Sequence, residues 1–500
     1  MVNYMSNKKT KNHSGKSGSH KSVSAQPKLA PLTNVTLRIV EVCFLILTFM
    51  VLFLHYFVSQ ADLIPAASVL GVLALIFLFY GLQKKIVKGF LMGKESVWFV
   101  CLLIVCFVVK LIFVLKVRIE PSVDYQTFYN CASQLADSFV TDFHYVALFP
   151  HIAGYATFLS LFFKLFGSGL LVAPVINVFL STASMALIFY IGRSLGGRGV
   201  AIFASILWIL CPSQTIYNIF VLSEPLYTTF LLVVWALLIW KEQMDFSQKL
   251  PSAIGFFVGI GVLLSAIQAV RPLSLVVLIS LAIWMFLIQK NSSKIIWRNK
   301  LICFAVAVLV FVICNFAWGS LLDVRLGEQT ARTQGYTMLV GANYDSMGQW
   351  NQEDSDTLSQ IDEQTGGNAE LTMQGMQQKF FERLHEPTDW LAHFFHKIEI
   401  FLGSDIGGVG YMYSILPSDS AYINLAAVCN IFYYFVFFMA AVSLLRQWKT
   451  RQQSIAVLMP LFILGLTAAH LFAEVAARYH YAILVPLILM TAQNLKSVSK

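Results

Sequence analysis

The chain is dominated by apolar runs long enough to cross a bilayer, and a bilayer leaves few folds open. A spanning helix needs about 20 apolar residues. In hydrocarbon every backbone N–H and C=O must be bonded internally, which leaves helices and closed barrels. Such runs lie at 40–58, 63–82, 97–117, 170–191, 200–216, 225–240, 254–269, 273–288, 301–318, 422–445, 454–472 and 482–495. They are continuous rather than alternating, so they predict helices. Charged residues make up only 12% of the 500, against about 25% in a soluble domain. The expected fold class is an all-α polytopic membrane protein with about twelve transmembrane helices.

Charge then sets direction. Residues 1–38 hold Lys8, Lys9, Lys11, Lys16, Lys21, Lys28 and Arg38 without an acid. Next to a span, such a tail reads as a disordered cytoplasmic anchor and not as a nucleic-acid arm. The basic loops at 84–94, 192–198 and 290–300 fall on the same inner side, and 241–249 lies there with them. The long polar segment 319–421 carries fifteen acids against five Lys or Arg, which suits a small extracellular cap. The resulting division is two extra N-terminal spans over 39–95, a core over 96–318 with an outer loop at 118–168, the cap, and C-terminal spans over 422–500. Both termini are expected inside a plasma membrane, and the topology suits a bacterium. The eight cysteines form no CxxC or Cys/His cluster.

Within the outer loop, 125–139 has helical periodicity, which predicts an interfacial helix. The run 145–166 must begin and end outside if the loop 192–198 is inside, so it is expected as a juxtamembrane or re-entrant helix.

The candidate chemistry converges on the outer face. Asp124 precedes the interfacial helix, where it serves as an N-cap or as a general base near the membrane surface. Glu224, in Ser-Glu-Pro, stands between two spans. Arg271-Pro272 stands at another span end. His470, Glu474 and Arg478 recur every four residues, which predicts one shared helix face. His470 with Glu474 leaves a divalent metal open, on two ligands only. Arg478 and Tyr479 set a phosphate-binding guanidinium among interfacial aromatics. His151 opens the juxtamembrane helix, and Lys397 precedes the return span. No Walker loop, dinucleotide fingerprint, HExxH or GxSxG is present.

With these residues in view, the chain resembles the GT-C class of membrane glycosyltransferases. The likeness is closest to the protein O-mannosyltransferase and lipid A aminoarabinose transferase family. It covers roughly 118–495. Asp124 with the helix after it matches the family's outer-loop acid. Phe149–Tyr155 and Leu165-Phe166-Gly167 match its Pro-containing juxtamembrane helix. Pro212, Ser223–Leu226 and Arg271-Pro272 match its inter-span motifs. Gly341, Asn343, Gly348, Trp350 and Asn351 match its large-loop pattern, and Glu474, Arg478 and Tyr479 its last loop. The chain departs in having Asp124-Tyr125 instead of an Asp-Glu pair, and no Lys within 149–155.

The resemblance implies a sugar donor on polyprenyl phosphate and transfer with inversion to a hydroxyl of an envelope glycan, glycolipid or protein. Asp124 would be the base or would orient the acceptor, with Glu224 shaping the same cavity. Arg271, Arg478 and Lys397 would hold the departing phosphate. His151, Tyr155, Asn343, Glu474 and Tyr479 would line the substrate cavity. Two other readings stay open: a polyprenyl-linked glycan flippase or transporter, and a glycan ligase or polymerase of the same architecture.

Overall fold

The computed structural model describes residues 30–58, 66–139, 143–242, 244, 246, 250–289, 293–448 and 454–496. The described residues are helical and contain no strand. Most of the expected basic tail lies outside them, as do 243, 245 and 247–249 of the loop 241–249, the first residues 290–292 of the loop 290–300, and 449–453.

Among the described residues, eight helices are long and apolar enough to cross a membrane: Pro31–Phe53, Ser68–Leu91, Glu95–Lys116, Val172–Gly196, Leu250–Val270, Lys294–Leu326, Asp419–Gln447 and Ile455–Phe472. A ninth candidate is the broken pair Arg198–Leu210 and Pro212–Ile219, bent by 61°. The expected count of twelve is therefore not reached by length and composition. The runs at 225–240 and 273–288 form the shorter apolar helices Glu224–Trp240 and Ser274–Ile288. The run at 482–495 is split between 3-10 turns and the helix Leu484–Ala492.

Two boundaries differ from expectation. The first helix begins at Pro31, so 31–38 is helix and not tail. Pro is favoured in a first turn because its missing N–H is unneeded there. The second helix runs to Leu91 through Lys84, Lys85 and Lys88, which were expected in a loop. Lysine stems tolerate such positions by carrying the ammonium to the interface.

Apolar side chains remain uncovered along several of these helices, including Leu70, Phe77, Val100, Ile104, Val312 and Phe316. Water would penalise such faces, whereas lipid covers them at no cost. Deeper in the bundle, Glu224–Trp240 lies on Val172–Gly196 and Asp419–Gln447 lies on Leu484–Ala492. The segment 319–421 is not one irregular loop. It folds into the helices Gly335–Gly341, Gln352–Gln364, Ala369–Arg383, Trp390–Leu402 and Gly407–Tyr411.

Candidate functional site

Four breaks in the helical pattern converge on one cluster. The first is the entry to the helix Val123–Asp137. Ser122 occupies the cap position and Asp124 lies in the first turn, so Asp124 is not the N-cap. Val123 has φ +49°, a left-handed conformation that a β-branched side chain resists. The second break is the bend at Pro212. Asn177 donates to the carbonyls of Asn218 (3.3 Å) and Phe220 (2.7 Å), satisfying backbone that the bend releases. The chain then enters Glu224–Trp240 with Pro225 in the first turn.

The third break ends the helix Leu250–Val270 and presents Arg271. The helix His151–Phe166 crosses this end closely. A Cβ on Gly154 would stand 1.9 Å from the Ala269 carbonyl oxygen, so only glycine permits the approach. The expected 145–166 helix is in fact two, His144–Leu148 and His151–Phe166, interrupted at Phe149-Pro150.

The fourth break follows Ile455–Phe472. His470, Glu474 and Arg478 do not share a helix face as their spacing predicts. The helix stops at Phe472, Ala473 and Ala476 are extended, and a 3-10 turn covers Ala477–Ile483. This loop is anchored from the segment 319–421. The Glu474 N–H donates to the Thr337 carbonyl (2.8 Å), and the Val475 N–H to the Gly348 carbonyl (2.9 Å). Gly341 lies so close that a Cβ would meet the Ala473 backbone at 2.5 Å.

At the centre stand two arginine–carboxylate pairs. Arg478 pairs with Asp124 and donates from Nη1 to the Tyr411 hydroxyl (2.6 Å). Arg271 donates from Nη2 to Glu224 Oε1 (2.5 Å) and from Nε to Ser223 Oγ (3.2 Å). Both guanidiniums lie 5.2 Å from the centre of the Tyr479 ring. The Tyr479 hydroxyl donates to Glu474 Oε1 (3.1 Å). The two pairs differ in access: the Asp124 side chain is 40% exposed and that of Glu224 is 2% exposed.

The electrostatics follow from burial. His151 is pushed down to about 4 by desolvation, and then by the nearby Arg271 and Arg478. Its ring is thus neutral at ordinary pH. Burial raises the Glu474 carboxyl, against the opposing effects of Tyr479 and Arg478. Tyr145 is pushed up to about 12 by burial and by the charges of Asp124 and Glu474.

Of the other predicted residues, His470 reaches the two pairs through Tyr479, on which it stacks at 5.3 Å, and Lys397 and Asn343 are bonded elsewhere. Tyr155 is buried, edge-on to Phe128 at 5.4 Å. Lys397 donates to the carbonyls of Gly341 (2.5 Å) and Ala473 (2.9 Å), so its ammonium ties the last loop down. Desolvation pushes it down to about 7. Asn343 holds a turn and reaches Asp354 (3.1 Å), within 319–421. His470 Nδ1 meets the backbone carbonyl of Glu474 (2.9 Å), not its carboxylate. The two side chains therefore do not converge as a metal pair. Among the described residues no group of three or more His, Cys, Asp or Glu is arranged to hold a metal ion.

Tyr411 escaped the sequence reading, and Ser223 entered it only as part of the Ser223–Leu226 motif. The only signal for Tyr411 is the glycine-rich turn before it, where Gly407 packs against the Arg478 backbone. The arrangement as a whole can bind an anion between two guanidiniums, and it offers one solvent-accessible carboxylate beside them.

No family model matches the chain, and no curated protein does. Among solved structures the chain is similar to ArnT from Cupriavidus metallidurans, crystallised with undecaprenyl phosphate, at 13% identity over 80% of this chain and 77% of that one, with a TM-score of 0.35.

Proposed function

We propose that the chain is a glycosyltransferase that moves a sugar from a polyprenyl-phosphate donor to a hydroxyl acceptor at the outer membrane face. The observation that carries this reading is the joint approach of Arg271 and Arg478 to one ring, each with its own carboxylate. Two guanidiniums recognise a phosphate by charge-assisted hydrogen bonds. They also stabilise it as charge builds on the leaving oxygen.

In this reading the acceptor hydroxyl gives its proton to Asp124, the more accessible carboxylate. Its oxygen bonds to the anomeric carbon from the face opposite the phosphate. The bond from that carbon to the phosphate oxygen breaks with its electrons, and polyprenyl phosphate departs held by Arg271 and Arg478. Glu224 keeps Arg271 oriented. Lys397 acts at one remove, by holding the Ala473–Ala476 loop. The 319–421 helices form the outer cap, and both termini lie inside. The acceptor is an envelope glycan, glycolipid or protein.

The test is release of polyprenyl phosphate by purified protein in lipid, supplied with short-chain polyprenyl-phosphate sugars and envelope acceptor. Release that collapses in folded Asp124→Asn and Arg478→Gln supports the reading. Equal release by Asp124→Asn overturns the role of Asp124. Labelled lipid crossing the bilayer with no release would favour a transporter instead.

A further inference from the structure

Beside Arg271 lies a set of buried polar atoms that no protein group satisfies. Glu224 Oε2, Tyr227 Oη, Thr228 Oγ1 and His470 Nε2 have no hydrogen-bond partner among the described residues. All four residues are at least nine-tenths buried. Buried polar atoms are nearly always bonded, so several orphans together call for a guest.

Geometry gathers them. Glu224, Tyr227 and Thr228 follow one another at i, i+3 and i+4, on one face of Glu224–Trp240. Glu224 is bonded to Arg271, Arg271 lies over Tyr479, and Tyr479 stacks on His470 at 5.3 Å. Arg271 is within electrostatic reach of both Tyr227 and His470.

Their chemistry is selective. The Glu474 carbonyl can only accept, so His470 Nδ1 carries the proton. In the neutral ring Nε2 is then an acceptor. Glu224 Oε2 is an acceptor too, while the Tyr227 and Thr228 hydroxyls both donate and accept. The guest must therefore bring several O–H or N–H donors. Glu224 is already neutralised by Arg271, so the set offers no uncompensated charge to hold an ammonium.

We propose that Glu224, Tyr227, Thr228 and His470 form the subsite that reads the hydroxyl groups of a neutral sugar on the donor phosphate. This rests on the glycosyltransferase reading above. It goes beyond it by assigning the sugar class to neutral, polyhydroxylated rings rather than amino sugars.

The test is competition binding on the full chain in lipid, with three short-chain probes: polyprenyl phosphate, its neutral hexose conjugate and its amino-sugar conjugate. Wild type should bind the hexose conjugate about tenfold more tightly than the bare phosphate, the worth of one or two hydrogen bonds. Tyr227→Phe with Thr228→Val should abolish that preference and keep affinity for the bare phosphate. A parallel thermal melt establishes that the variant is folded. An unchanged preference in the variant would overturn the subsite and leave those atoms to ordered water. So would tighter binding of the amino sugar, or wild-type binding of bare phosphate with no gain from the hexose; in both cases the phosphate-binding reading survives. Wild type that binds none of the probes would overturn both.

Discussion

The protein contains two kinds of arginine–carboxylate pair, and they differ in what is left over. In the 319–421 segment, Asp354 is fully buried and both its oxygens are bonded. Arg383 forks onto it at 2.8 and 3.1 Å, and Asn343 and Asn351 add further donors. Between the spans, Glu224 uses one oxygen and leaves the other bare. Arg478 spends Nη1 and Nη2 and leaves Nε without a partner among the described residues. A saturated pair has no capacity for a ligand and serves the fold. An unsaturated one stores unmet hydrogen bonds, a cost that a bound substrate removes.

That contrast is open to direct attack. The largest separation is expected from Asp124→Asn, which should lower turnover by about 10²–10⁴-fold, the usual worth of a general base. It should hardly move the melting temperature. Loss of stability with full turnover would reverse the assignment. Arg383→Met should do the opposite. It strands the buried Asp354 charge and should cost about 3–5 kcal/mol, read by thermal unfolding in detergent.

Gly154→Ala tests the frame that carries Arg271. Its methyl would overlap the Ala269 carbonyl, and relief by shifting a helix should cost about 1–3 kcal/mol. Turnover should fall with it, and the Cys131→Ala control, at a buried position of the helix Val123–Asp137 that packs on His151–Phe166, should not share that loss.

Lys397 gives a pH signature. Burial lowers it to about 7 in the folded chain, against about 10.4 when unfolded. Above that folded value the unfolded state holds the extra proton, so this group makes stability rise with pH between about 7 and 10. Lys397→Met should flatten that rise in unfolding measured across the window. The smallest effect is expected at Val123, whose positive φ costs about 1–2 kcal/mol. Val123→Gly should stabilise by up to about 1 kcal/mol. A gain in stability with a loss of turnover would mean that the strain aims Asp124.

Much of the site's raw material was legible because membranes sort charge. Glu224, Arg271, Glu474 and Arg478 stood out as ionisable residues at the outer ends of apolar runs, and Asp124 as the acid before the interfacial helix. Their partnerships were not legible. Spacing pointed to Glu474 with Arg478 on one helix, yet the helix ends at Phe472 and Arg478 turns to Asp124 instead. The family resemblance implied a phosphate-binding role for Lys397. Its contacts with the Gly341 and Ala473 carbonyls depend on where two distant loops meet. Tyr411 carried no signal beyond its glycines.

The sequence by itself determined that the chain is helical and membrane-spanning, and where most helices lie. Apolar length and charge position are local properties, and the bilayer acts on them directly. Only the tertiary structure decided which arginine meets which carboxylate, that Gly154 admits a crossing helix, and which buried polar atoms are left unsatisfied. Those depend on contacts between residues far apart in the chain, where a shift of an ångström decides whether a hydrogen bond exists.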